Sequence, residues 1–173
     1  MNLYLRLLWL VMRLPWLPKQ ANPLAASTLN MRVMPNDLDI YLHVNNGRYL
    51  TLMDLGRLHL MAVMGLLKPI QKSGFAPLLG SVKVHFIRSL RVFEKFKQTT
   101  QVIYWDEKWF YIEQKIFKGE ELYVTALMKI LFISKEGKVS PERLFQLLPQ
   151  SPTQPAIPLH VAHWIAAEKA SRE

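Results

Sequence analysis

Beyond Gly74 the apolar pattern changes from helical spacing to alternation, in four segments between Ser81 and Ile133. Val82, Val84 and Phe86 alternate with polar neighbours, and Leu122, Val124, Ala126, Met128, Ile130 and Phe132 do the same between Glu121 and Ile133. Gln98 to Trp105 alternates polar residues with β-formers, and Trp109 to Phe117 sets Phe110, Ile112 and Ile116 on one side. A period of two turns one face of an extended strand toward a core. Short polar turns at Asp106-Glu107-Lys108, Lys118-Gly119-Glu120 and Lys135-Glu136-Gly137-Lys138 separate these segments, so successive strands should pair antiparallel. Ahead of them, Tyr49 to Leu67 is apolar on nearly every face, with Thr51, Asp54, Arg57 and His59 as the polar breaks. Such a helix must be enclosed on most sides, and Gly65 followed by Lys68-Pro69 predicts its end. An early strand at Thr28 to Val33, one buried helix and a run of long strands predict an α+β fold, an antiparallel sheet curled around a helix.

With 173 residues, half of them hydrophobic, the chain can bury one sizeable core. We read the domain as residues 28–148, preceded by an apolar segment over 1–20 and followed by a proline-rich linker and tail over 149–173. Prolines at 149, 152, 155 and 158 keep the linker extended. Leu159 to Arg172 is helix-compatible, as a docking helix or a disordered end. Within Met1 to Leu14, Arg6 and Arg13 make the segment too charged and too short to span a bilayer, which needs roughly 20 apolar residues. The two arginines are seven apart and share a helical face, leaving Leu3, Leu7, Leu10 and Leu14, with Tyr4 and Trp9, to meet a membrane interface or protein.

Twenty-two Lys and Arg against thirteen Asp and Glu give a net charge of +9, which favours nucleic acid, anionic membrane or a phosphate-bearing ligand. Nucleic acid is disfavoured, because no clustered basic stripe with stacking aromatics is present. The absence of cysteine excludes disulfides, thiolate metal sites and a cysteine nucleophile, and fits a cytoplasmic location. Asp37, Asp39 and His43 include metal-ligand types, but no histidine pair or cysteine completes a set with them at usual spacing, and no Walker loop or nucleophile elbow is found.

Chemistry concentrates in Asn36 to Arg57, where two carboxylates, a histidine and an asparagine pair precede the buried helix. A polar turn feeding the positive end of a helix can bind and polarise a carbonyl. Asn45 or Asn46 can cap that helix, and Gly47 allows close approach to its backbone. Asp37 reads as a turn-bonding residue, and Asp54 with Arg57, three apart, as a structural ion pair.

The run Asp37-Leu38-Asp39 followed by His43-Val44-Asn45-Asn46-Gly47-Arg48-Tyr49 resembles the D-x-D-x-x-x-H-V-N-N-x-x-Y signature of the 4-hydroxybenzoyl-CoA thioesterase-like branch of the hotdog-fold superfamily. The likeness extends over Thr28 to Val139, and the apolar amino-terminal extension resembles that of one group within the branch. It implies a hotdog fold, a homodimer or homotetramer with sites at the subunit interface, and hydrolysis of an acyl-CoA or other acyl thioester. Asp39 would be nucleophile or general base, His43 and Asn46 would assist, and Asn45, Gly47 and Arg88 would contact substrate. No cofactor is implied, coenzyme A being part of the substrate. Hydratases of the same fold carry D-x-N-P-x-H, which Asp39 and His43 do not reproduce. A non-catalytic acyl-binding or membrane-associated scaffold is the alternative, with peripheral contact to the inner membrane face through residues 1–17.

Overall fold

The computed structural model describes residues 2–171. In chain order it contains α1 (Asn2–Arg13), β1 (Ser27–Arg32), α2 (Asn46–Val63), α3 (Leu67–Lys72), β2 (Ala76–Phe86), β3 (Lys95–Trp105), β4 (Phe110–Lys118), β5 (Glu121–Ser134), β6 (Gly137–Val139), α4 (Pro141–Phe145) and α5 (Leu159–Ala170). One antiparallel sheet runs β1-β3-β4-β5-β2, with β6 beside the end of β5. The three polar turns make the hairpins expected of them. β2, in contrast, pairs with β5 and not with β3, in a register that sets Val84 opposite Ala126. The outer edge of β2 is therefore open, and so is that of β1.

α2 fills the inner face of the sheet. Leu52, Met53 and Leu60 from the helix pack with Phe96, Ile112, Ile116, Met128 and Ile130 in one continuous core. A small-residue gap lets the helix sit close. A Cβ on Gly56 would stand 1.9 Å from Gln98 Nε2, 2.7 Å from Thr100 Oγ1 and 2.9 Å from Gln114 Nε2. These three polar side chains form a belt across the inner face, where Gln114 donates to Met53 O at 3.0 Å and to Thr100 Oγ1 at 2.9 Å. Both polar atoms of the Gln98 amide, and Nδ1 of His59, are buried without a partner. Burial accordingly lowers the His59 pKa, favouring the neutral ring.

The outer face of the sheet is covered by α5, whose Val161 is fully buried against Tyr111 and Leu127. Lys129 reaches Glu168 of that helix at 2.8 Å. The carboxyl-terminal segment thus docks, and β5 is buried on both faces along Ala126 to Phe132, Lys129 included, because each face has a cover. Gly80 sits at a register shift in β2, where a Cβ would meet the Trp109 ring at 2.4 Å. Pro77 is accommodated because β2 has a free edge.

Two expectations need correction. α2 ends at Val63 with Gly65 at φ +82°, but the chain re-enters helix at once, and Lys68-Pro69 lies in the first turn of α3. Proline is tolerated there because first-turn amides have no helical acceptor. In α1 and the turn that follows it, Leu3, Leu7, Leu10 and Leu14 do pack inward, on Leu29 and Leu55. Arg6 turns inward as well, whereas Tyr4 and Trp9 face out with Leu5, Leu8 and Met12. A buried carboxylate draws the arginine in.

Replacing Gly56 with alanine should destabilise the fold by about 1–3 kcal/mol, since the belt beneath it is enclosed and has no room to retreat. Chemical denaturation would measure this; an unchanged midpoint would mean that α2 does not sit this close to the sheet.

Candidate active site

The segment between β1 and α2 is held from inside by Asp37. Its carboxylate is wholly shielded from solvent. Arg6 donates through Nη2 to Oδ2 at 2.6 Å and through Nη1 to Oδ1 at 3.2 Å. Arg48 Nε stands 3.5 Å from Oδ1, and the Met34 N–H donates to Oδ2 at 2.8 Å. A buried carboxylate is tolerated only when charge and lone pairs are matched in this way. One side chain therefore ties α1, the end of β1 and the first turn of α2 together.

Two residues on, Asp39 opens a tight loop. Its N–H donates to His43 O at 2.8 Å, and its O accepts from Leu42 N–H at 3.1 Å. Asp39 Oδ1 accepts from the N–H groups of Tyr41 at 2.9 Å and His43 at 3.3 Å. Closing so small a loop places Leu42 in the left-handed region at φ +60°, uncommon for a bulky side chain. A bridge between His43 and Arg91 lays this loop beside the one joining β2 to β3, where Phe93 is left-handed at φ +63°. The two loops expose Ile40, Tyr41, Leu42, Ile87 and Phe93 together, Ile40 at 88% and Tyr41 at 75%.

At the head of α2, Asn45 caps the helix by accepting from Gly47 N–H at 2.9 Å, and its carbonyl accepts from Arg48 N–H at 2.9 Å. Among the described residues this leaves the N–H of Asn46 as the first-turn amide with no protein acceptor. Its position suits an anionic or polarised oxygen. Tyr49 is buried beneath, its hydroxyl accepting from Leu90 N–H at 3.1 Å, and burial raises its pKa.

The sequence-predicted residues thus divide. Asp39, His43, Asn45, Asn46 and Gly47 come together on one loop and helix start, while Arg88 lies at the end of β2 and pairs with Glu121 at 2.8 Å, both half exposed. None of them lines the apolar cavity beneath α2. That cavity, about 290 Å³, lies between the second half of α2 and the sheet, with Asp54 and Arg57 among its walls. Arg57 pairs with Asp54 and donates to Gln114 Oε1 at 3.0 Å. Burial lowers the guanidinium pKa, an effect opposed by Asp54. The polar belt of Gln98, Thr100 and Gln114 was not singled out from sequence. Its signal was available, as polar residues at inward-facing positions of strands otherwise apolar on that side.

A curved antiparallel sheet wrapped around one long helix, with a polar loop at the helix head, defines the hotdog fold of thioesterases. The chain belongs to the Thioesterase-like superfamily, whose family model matches residues 33–165. It is 30% identical over 144 residues to Protein THEM6 of Xenopus laevis, covering 82% of this chain and 68% of that protein. A probable thioesterase from Bartonella henselae superposes with a TM-score of 0.62 at 24% identity, covering 67% of this chain and 98% of that one. A 1,4-dihydroxy-2-naphthoyl-CoA thioesterase from Synechocystis superposes with a TM-score of 0.61 at 16% identity, covering 70% and 93%. Family membership supports thioester hydrolysis as the general class of activity.

Replacing Arg6 with methionine keeps most of the stem and removes the charge matched to Asp37. Thermal or chemical unfolding should show a loss of about 3–5 kcal/mol, the range for stranding one partner of a buried pair. A loss below about 1 kcal/mol would mean that Arg48 alone satisfies Asp37.

Proposed function

We propose that the protein hydrolyses an acyl-CoA thioester at a site around Asp39 that a second copy of the chain completes. The observation that carries this reading is the surroundings of Asp39. One carboxylate oxygen is fixed by two loop amides, and the loop stands at the head of α2 close to the unengaged Asn46 amide. A fixed acceptor-only group and a helix-start donor are what attack on a thioester carbonyl needs. Either Asp39 attacks the carbonyl carbon, or it takes a proton from a water molecule that attacks. In both routes the C–S bond breaks and the coenzyme A thiolate leaves, taking up a proton; in the first, water then cleaves the acyl–Asp39 anhydride, releasing the carboxylic acid and restoring the carboxylate. His43, beside the same loop, would orient the substrate, and Arg88 would exchange Glu121 for a coenzyme A phosphate.

Completion by a second copy is supported by the uncovered apolar rim, Ile40, Tyr41, Leu42, Ile87 and Phe93, and by the open edge of β2 that leads into it. Pairing β2 to β2 would extend the sheet and take water away from Asp39, strengthening each electrostatic contact there. A non-catalytic acyl-binding scaffold is the second reading, favoured by Asp39 Oδ1 already serving the turn backbone.

Asp39→Asn separates the two, because the substitution keeps an oxygen for the Tyr41 and His43 amides and removes the base. Across a panel of acyl-CoAs, kcat/KM should fall by roughly 10²–10⁴-fold with the melting temperature unchanged. No turnover by the wild type on any member, with acyl-CoA still bound, would replace the hydrolase with the scaffold.

We further propose that the protein sits peripherally on the cytoplasmic face of a membrane. The outer face of α1 and the turn after it present Tyr4, Leu8, Trp9 and Trp16, with Arg13 over the Trp9 ring at 4.5 Å. Aromatic residues of this kind favour the headgroup boundary. No helix among the described residues is long and apolar enough to cross a membrane. The protein should co-float with anionic phospholipid vesicles, and Trp9→Ala combined with Trp16→Ala should weaken partitioning by roughly tenfold or more. Flotation unaffected by both substitutions would contradict this.

A further inference from the structure

The cavity behind Asp54 and Arg57 carries information that the loop around Asp39 does not. Its deep walls are Phe110, Ile112 and Phe145, all buried, and the sheet and α2 close it on either side. Its exposed members are Asp54, Pro77 and Leu79, which mark a mouth between α2 and the open edge of β2. Asp54 and Arg57 are the only charged residues in the lining. Their charges are matched by each other, and the guanidinium is further held by Gln114. Beyond that pair every lining side chain is apolar, so the deep walls offer a buried ligand no strong side-chain donor or acceptor.

We propose that this cavity is the acyl-chain subsite and that it selects a saturated, unbranched aliphatic acyl group over a hydroxylated aromatic one. The inference rests on the acyl-thioester reading above for the ligand's head, and on the cavity alone for its tail. Two physical arguments converge on it. A hydroxyl carried into these walls would lose its water and find no partner, which costs about 1–3 kcal/mol by mutational measures, or roughly five- to 150-fold in affinity. A methylene chain loses nothing and gains about fourfold in affinity per buried carbon.

Length follows from geometry as well. At about 30 Å³ per water-sized group, a cavity of about 290 Å³ takes roughly ten methylenes. Asp54 lies eight residues along α2 from Asn46, about 12 Å at the helical rise. A carbonyl held at the helix head can thus send its chain along α2 and past the Asp54–Arg57 pair. Met61, half-buried at the mouth, adds a side chain that adjusts its shape to a passing chain.

The test is binding, not turnover. Non-hydrolysable acyl-CoA thioethers, from butanoyl to docosanoyl, are titrated against the full chain by calorimetry, alongside a dihydroxybenzoyl thioether. Affinity should climb about fourfold per methylene once the chain is long enough to enter the cavity and level off once roughly ten carbons are buried there, with the dihydroxybenzoyl analogue at least tenfold weaker than the best aliphatic one. Met61→Trp should move the plateau to shorter chains while leaving butanoyl binding within about twofold. Leu79→Trp, at an exposed strand position that burdens the core least, should do the same if the first variant is unstable. An affinity independent of chain length, tighter binding of the dihydroxybenzoyl analogue, or folded variants with an unmoved plateau would overturn the proposal. A normal binding ladder without hydrolysis of the corresponding thioesters would instead remove the hydrolase reading and leave this one standing.

Discussion

A carboxylate with no access to water is stable only where cations and amides surround it, and the Asp37 side chain meets that requirement with Arg6, Arg48 and the Met34 amide. Each partner comes from a different part of the chain, so matching this one charge fixes α1 on the body, closes the turn after β1 and sets the first turn of α2. The Asn45 amide adds to the same junction by donating to Asp37 O at 2.9 Å. Asp39 is two residues away, on a loop with little freedom of its own once both its ends are held. The geometry at the head of α2 is thus a consequence of a buried ion pair, and the catalytic role proposed for Asp39 depends on it.

The other half of the molecule follows from how closely α2 approaches the sheet. Gly56 allows contact over the Gln98, Thr100 and Gln114 belt. Further along the helix, the larger side chains of Leu60, Met61 and Met64 stand against a curved sheet and leave the apolar cavity between them. Polar groups thus lie toward one end of the inner face and an oily space toward the other. A thioester has the same division, a polar reacting head and an apolar tail. Meanwhile α5 shields the outer face of β4 and β5, leaving β2 with the longest stretch of uncovered strand.

Much of this was readable from local pattern. The alternation in β4 and β5, the enclosed helix, the hairpin turns, the cap at Asn45 and the Asp54–Arg57 pair all depend on residues near one another in sequence, where periodicity and capping chemistry act. The motif from Asp37 to Tyr49 identified the family for the same reason. What was not legible depends on contacts between distant parts of the chain. Arg6 reaches Asp37 across 31 positions, and only the fold reveals that a seeming surface arginine is a buried counterion. The return of β2 to the far side of β5 is set by chain connectivity and not by strand composition. The cavity is a property of helix-to-sheet spacing, to which Asp54 and Phe145 contribute from distant parts of the sequence.

The most direct test of the account is a crystal structure of the protein with a non-hydrolysable acyl-CoA thioether. The account predicts two copies joined along β2, the analogue's carbonyl oxygen within hydrogen-bond distance of the Asn46 N–H, and Asp39 Oδ2 facing the carbonyl carbon. A bound analogue whose carbonyl lies away from the head of α2, with Asp39 left in bulk solvent, would contradict it.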